Sequence, residues 1–209
     1  MQAIPAEKVF VATESELIAA HVRSFGGQCI MTSNDCLTGT DRVAEANKKL
    51  NFDLVINVQG DEPLIDPADI KIVIEHAISN PNEVINAISK IASVQEFHSK
   101  SVPKVAKTLN NELLYMSRCP IPGSKSGGFS FGYKQICIYA FPKAALAIFT
   151  SEIKKTPFEL EEDIEILRFL EKSITVKLVE VQGNSLAVDT DADIKRVRDI
   201  IKGAGIPKD

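Results

Sequence analysis

The strongest constraint on the fold of this chain is its regular alternation of short β-rich apolar runs with longer amphipathic stretches. Parallel strands need a crossover between them, usually a helix, so this alternation predicts an α/β protein with a mostly parallel, doubly wound sheet. The predicted strands are Lys8–Thr13, Gln28–Met31, Asp53–Val58, Glu83–Ser89, Lys104–Leu109, Leu113–Met116, Tyr133–Phe141 and Ile174–Val181, with a short apolar stub at Leu186–Val188. Asp53–Val58 (DLVINV) is the most apolar of them and is expected at the centre. Helices are predicted at Glu14–Phe25, Asp41–Leu50, Ala68–Ser79, Pro142–Ser151, Glu159–Glu171 and Ala192–Lys202. Pro67 suits the first turn of the third helix, where a missing N–H costs nothing.

Length and charge narrow the class. The 209 residues suffice for one domain with a sizeable core. A formal net charge of -4 leaves no basic footprint for nucleic acid. The N-terminus lacks the apolar core of a signal peptide, and no apolar run approaches the length of a membrane span. Cys29, Cys36, Cys119 and Cys137 include no C-x-x-C pair and read as thiols in a reducing cytosol. The expectation is a cytoplasmic protein without membrane insertion.

Four constellations can carry chemistry. In Asn57-Val58-Gln59-Gly60-Asp61-Glu62-Pro63 an apolar strand ends in a carboxylate. Open α/β sheets bind ligands at such strand ends, and a carboxylate there can hold a hard divalent cation. A plain turn with solvated Asp61 and Glu62 explains the same residues. Ala187-Val188-Asp189-Thr190-Asp191 repeats the pattern before a helix. Helix capping competes with metal binding at that place. Thr38-Gly39-Thr40-Asp41 precedes another helix and offers N–H groups to an anion or a base edge, or merely caps the helix. In Ser117-Arg118-Cys119-Pro120-Ile121-Pro122 the guanidinium suits bidentate capture of a carboxylate, or is a surface arginine beside an edge strand.

Other chemistries are disfavoured. His21, His76 and His98 lie away from every one of these motifs, which argues against a Ser/Cys–His hydrolase. Neither a dinucleotide fingerprint nor a P-loop occurs.

Taken together, VATESELI, FGGQCIMTS, TGTDR, VINVQGDEPLI, LYMSRCPIP, CIYAF, IEILRFLE and AVDTDADI occur in this order along essentially the whole chain. This combination resembles the 3-deoxy-manno-octulosonate (Kdo) cytidylyltransferase family. The resemblance implies a single domain over residues 1–209 with a nucleotide-diphospho-sugar transferase-like fold and a small β dimerisation arm around Ser101–Phe131. It implies CMP transfer from CTP to Kdo with release of pyrophosphate, for lipopolysaccharide synthesis, dependent on Mg²⁺ and carried out by a homodimer. It implies metal-binding and catalytic roles for Asp61 and Asp189, and a cytidine pocket at Thr38, Gly39 and Thr40. It implies sugar-acid contacts at Gln59, Arg118, Gln135 and Glu165.

The chain departs from the family in two respects. The family opens with a strand and a loop of the form IPAR-x-x-STRLPGKPL that grips the triphosphate. Met1 falls where the family is finishing its first helix, so a truncated or partial chain is expected. Near the sugar, Gln135-Ile136-Cys137 stands where the family has His-x-Gly, and Ile164-Glu165-Ile166-Leu167-Arg168 where it has LEQLR. A different acidic sugar is therefore one alternative, and a catalytically dead remnant that only binds is another.

Overall fold

The computed structural model describes residues 4–125, 127–152, 154–183, 185–188 and 190–203. After a short 3₁₀ turn at Ala6–Lys8, the elements follow the predicted alternation. They are β1 (Phe10–Thr13), α1 (Glu16–Ser24), β2 (Gln28–Met31), α2 (Gly39–Leu50), β3 (Leu54–Val58), α3 (Pro67–Ser79), β4 (Val84–Lys90) and α4 (Val94–His98). The chain continues through β5 (Lys104–Lys107), β6 (Leu113–Ser117), β7 (Tyr133–Pro142), α5 (Lys143–Phe149), α6 (Pro157–Glu162), α7 (Leu167–Glu171), β8 (Val176–Glu180) and α8 (Asp191–Gly203). None of the helices described is long and apolar enough to cross a membrane.

Six strands form the main sheet. β7 pairs antiparallel with β3, β4 and β5, β5 pairs antiparallel with β6, and β4 pairs parallel with β8. Hence β3, β4, β5 and β8 share one direction, and β6 and β7 run against it. The mostly parallel character expected from the sequence holds for strand direction, with β7 inserted as the reversed strand. β1 and β2 form a separate parallel pair.

The centre lies elsewhere than predicted. Among the described strands β3 pairs only with β7, whereas β7 is flanked by three strands and β4 is buried over six of its seven residues. The apolar content of DLVINV reflects a face packed against α2 and an open edge, not a central position. The predicted helix over 159–171 is likewise two helices. Asp163 takes a left-handed conformation (φ 50°) that ends α6, and the chain turns through Ile164–Ile166 before α7 begins. The predicted Leu186–Val188 stub is not a strand, although Val188 N–H donates to the Asp61 carbonyl at 2.8 Å.

Period-two alternation in β4 and β7 builds a core on each face. Val84 and Ile88 of β4, with Tyr139 and Phe141 of β7, face Phe149, Leu167 and Phe169 from α5 and α7. Ile85 and Ala87, with Ile138 and Ala140, face Val73 and Ala77 of α3. Two covered faces are what a doubly wound sheet requires. At the centre of the first core Phe141 stacks on both Tyr139 and Phe169.

Two local devices shape the ligand end of the sheet. The β4–β7 register shifts between Asn86 and Ala87, and the buried Asn86 side chain donates to the Ile136 and Ile138 carbonyls across that irregularity. Beyond β8, the Asp69 carboxylate accepts the N–H groups of Gln182 and Gly183. Gly183 has φ +66°, and a Cβ there would meet Ser89 at 2.4 Å, so no other residue fits.

Phe141 is fully buried, so Phe141→Ala should lower unfolding free energy by about 3–5 kcal/mol. Urea denaturation followed by circular dichroism checks this, and a loss under about 1 kcal/mol would mean that the core is not organised around this ring.

Candidate active site

The site begins with a fork in the sheet. β4 occupies one edge of β7. On the other edge β3 covers Ile138–Pro142 and β5 covers only Tyr133–Lys134. Between them Cys137 accepts a hydrogen bond from Gln59 N–H, and Gln135 N–H donates to Pro103 O. The two strands diverge there, and a cleft of about 740 Å³ opens at the fork.

That cleft gathers residues far apart in sequence. Gln59, Asp61, Arg118, Gln135 and Glu165 all line it. Each was singled out as a site residue from the sequence. Asp61 sits in the turn just past β3, and among the described residues nothing bonds to its carboxylate. Asp189 lies outside the described residues, but the Val188–Asp61 hydrogen bond brings the preceding residue alongside Asp61. No group of three or more His, Cys, Asp or Glu side chains gathers among the described residues.

Arg118 is partly committed to the protein itself. Its Nε donates to Glu162 O at 2.5 Å, and its two terminal nitrogens donate to Lys100 O and Asp163 O. Two of the five guanidinium N–H groups make no hydrogen bond among the described residues, although Asp163 Oδ2 pairs with Nη2 at 3.9 Å. Beneath it the Lys104 ammonium is buried and donates to the carbonyls of Ser99, Val102 and Arg118. Desolvation lowers the Lys104 pKa. The Glu162 carboxylate holds the end of β6 by accepting from Ser117 Oγ, Arg118 N and Tyr115 Oη. Gln135 is oriented by Asn86, whose Oδ1 accepts its Nε2 at 3.1 Å.

The turn at Thr38–Asp41 is the N-terminus of α2, with Thr38 as its cap. The anion at this helix end is internal. Thr40 N–H donates to Glu165 Oε2 at 2.7 Å, and Gln59 Nε2 donates to Glu165 Oε1 at 3.0 Å. A Cβ on Gly39 would stand 3.2 Å from Glu165 Oε1, so any larger residue would push the carboxylate back by a few tenths of an ångström. Desolvation raises the Glu165 pKa, opposed by hydrogen bonds from Thr40 and Gly39.

A second, more apolar cleft of about 920 Å³ lies between β1 and β3 over α2. Among the described strands β1 pairs only with β2, so each of these two strands leaves an edge unpaired. Asn57 Nδ2, buried in β3 and lining this cleft, has no hydrogen-bond partner among the described residues. Gln59, Asp61 and Glu165 line both clefts and form their common wall.

Sequence reasoning missed the residues that hold this arrangement. Arg168 is fully buried between the carboxylates of Asp41 and Glu159, and Asn86 is fully buried in an apolar strand. The available signal was a polar residue inside an otherwise apolar run, Ile166-Leu167-Arg168-Phe169-Leu170 in one case and Val84-Ile85-Asn86-Ala87-Ile88 in the other.

Comparisons with known proteins agree with one another. The sequence model of the cytidylyltransferase family matches residues 2–180. The 3-deoxy-manno-octulosonate cytidylyltransferases of Trichlorobacter lovleyi and Geobacter sulfurreducens are each 37% identical over 207 residues, covering 93% of this chain and 82% of theirs. A solved CMP:2-keto-3-deoxy-manno-octonic acid synthetase complexed with CTP superposes with a TM-score of 0.85 at 32% identity, covering 94% of this chain and 81% of that one. An inositol-1-phosphate CTP transferase from T. maritima shares the fold at 14% identity (TM-score 0.62, covering 93% and 75%).

A carboxyl whose pKa is raised on folding is destabilising when ionised. That penalty is absent below its ordinary range and grows as pH rises through it. The stability difference between Glu165→Gln and wild type should therefore move in favour of the variant as pH rises through and above the ordinary carboxyl range. Thermal melts across that range check the sign, and a difference moving the other way would refute the desolvated carboxylate.

Proposed function

Since this chain belongs to the cytidylyltransferase family, we propose that it transfers CMP from CTP to 3-deoxy-manno-octulosonate, giving the CMP-sugar and pyrophosphate. The observation that carries the site assignment is the fork in β7, where one cleft collects Gln59, Asp61, Arg118, Gln135 and Glu165.

The anomeric hydroxyl of the sugar attacks the α-phosphorus of CTP. A P–O bond forms to the sugar, the bond to the bridging oxygen of the β-phosphate breaks, pyrophosphate leaves and the hydroxyl proton is released. No covalent enzyme intermediate is required, so positioning and charge stabilisation supply the rate. Two N–H groups of Arg118 and the amides of Gln59 and Gln135 orient the sugar acid. Thr38, Gly39 and Thr40 shape the cytidine side, with Gly39 facing the same wall as Gln59 and Asp61.

Mg²⁺ fits the donor set. The Asp61 carboxylate is a hard oxygen ligand with no protein partner among the described residues, and Val188 is bonded to the Asp61 carbonyl. Asp61 and Asp189 would hold the ion, which when bound neutralises charge building on the phosphates. Exposed Leu114 in edge strand β6 and exposed Leu109 in the turn before it support a homodimer through the expected arm, and four free cysteines support a reducing, cytoplasmic setting. A different acidic sugar is the second reading, favoured by the presence in the cleft of both Gln135 and Glu165 from the stretches that depart from the family.

Pyrophosphate release should require CTP, Mg²⁺ and the octulosonate together, assayed on this chain and on one carrying a relative's N-terminal strand and loop ahead of Ile4. Silence from both would contradict the assignment, and faster turnover of a nonulosonate would shift it to the second reading. Asp61→Asn should lower turnover on the order of 100-fold or more without changing the melting temperature. Retained activity would remove Asp61 from the metal site.

A further inference from the structure

The cluster of charge around Arg168 is absent from the roles assigned above. All five of its N–H groups are used. Nε and Nη2 donate to Glu159 Oε2 and Oε1, both at 2.6 Å. Nη1 donates to Asp41 Oδ1 at 2.8 Å and to Phe149 O at 3.3 Å, and Nη2 reaches Asp41 Oδ2 at 3.3 Å. The guanidinium lies 3.8 Å over the Phe149 ring. One side chain therefore ties α6 and the end of α5 to the first turn of α2.

What it fixes is the turn itself. Asp41 N–H donates to Thr38 Oγ1, and Thr38 Oγ1 donates in turn to Asp41 Oδ2 at 2.8 Å. The cap hydroxyl thus has one orientation as long as Asp41 is held. Three residues before Arg168, Glu165 takes Thr40 N–H and Gln59 Nε2. A single short segment grips the Thr38–Asp41 turn by a guanidinium on one side and a carboxylate on the other. Through Gln59 it joins that turn to the end of β3, where Asp61 sits.

We propose that Arg168 is a positioning residue for the nucleotide, acting through Asp41 to hold the Thr38–Thr40 turn against the strand end that carries Asp61. The proposal rests on the cytidylyltransferase reading, under which that turn meets cytidine. A lysine cannot reproduce it. Its three donors radiate from one point and cannot span two carboxylates and a carbonyl in one plane. Misplacement of a substrate-positioning group by about 1 Å can cost roughly 100-fold in rate, so a change remote from the reacting atoms is enough to be measured.

The test uses equilibrium dialysis of CTP with Mg²⁺, alongside steady-state kinetics, on wild type, Arg168→Lys, Asp41→Asn and the double variant, each first checked for a cooperative melt. Wild type that does not bind CTP would sink the functional reading itself. With wild type binding, each single variant should weaken CTP binding and raise its KM roughly tenfold, while the KM for the sugar acid stays within about twofold. Because Arg168 acts through Asp41, the double variant should be little worse than Asp41→Asn alone. Equal losses for both substrates, unchanged CTP binding, or fully additive losses would each overturn the proposal. If Arg168→Lys does not fold, Asp41→Asn decides by the same split between CTP and sugar.

Discussion

A buried guanidinium between two carboxylates governs the ligand end of this protein. Arg168, Glu159 and Asp41 come from three helices, and the first two side chains are almost completely excluded from water. Such a cluster is a poor source of net stability, because an apolar trio of the same volume often does as well. Removing one member is another matter, costing about 3–5 kcal/mol, since it strands a buried charge. What the cluster supplies is direction. It leaves the α2 N-terminus one position relative to β3, and the remainder of the site is arranged around that turn.

The second determinant is the way β7 divides its edge. A strand of ten residues with β4 on one side is covered on the other by β3 at one end and β5 at the other. Its middle, Gln135–Cys137, where β3 and β5 part, lines the cleft. On the opposite edge Asn86 satisfies the Ile136 and Ile138 carbonyls beside the shifted β4–β7 register. The backbone of the cleft is therefore stiff, while its polar side chains (Gln59, Gln135 and two N–H groups of Arg118) remain available to a ligand.

Much of this was legible in the sequence, and for physical reasons. Short apolar runs and amphipathic periods placed nearly every strand and helix, because burial on both sheet faces leaves a mark in local composition. Gln28–Met31 is a strand with those bounds, and Pro67 opens α3 at its first turn. Gln59, Asp61, Arg118, Gln135 and Glu165, which the family resemblance names, line one cleft. Three things were not legible. The centrality of β7 over β3 depends on strand pairing, which no local pattern encodes. The break at Asp163 depends on a left-handed residue inside a stretch whose periodicity continues unbroken. The roles of Arg168 and Asn86 depend on partners 127 and 50 residues away in sequence.

The first turn of α2 is held from within, by Glu165 at the Thr40 N–H and by Arg168 at the Asp41 carboxylate. First-turn amides ordinarily lack an intrahelical acceptor and exchange with solvent readily. Amide hydrogen exchange at Thr40 is the most direct measurement. Thr40 should exchange as slowly as the middle of α2, because its N–H is bonded to the half-buried Glu165 carboxylate at 2.7 Å. Exchange at the rate of an open helix end would contradict it, and with it the clamp on which the site depends.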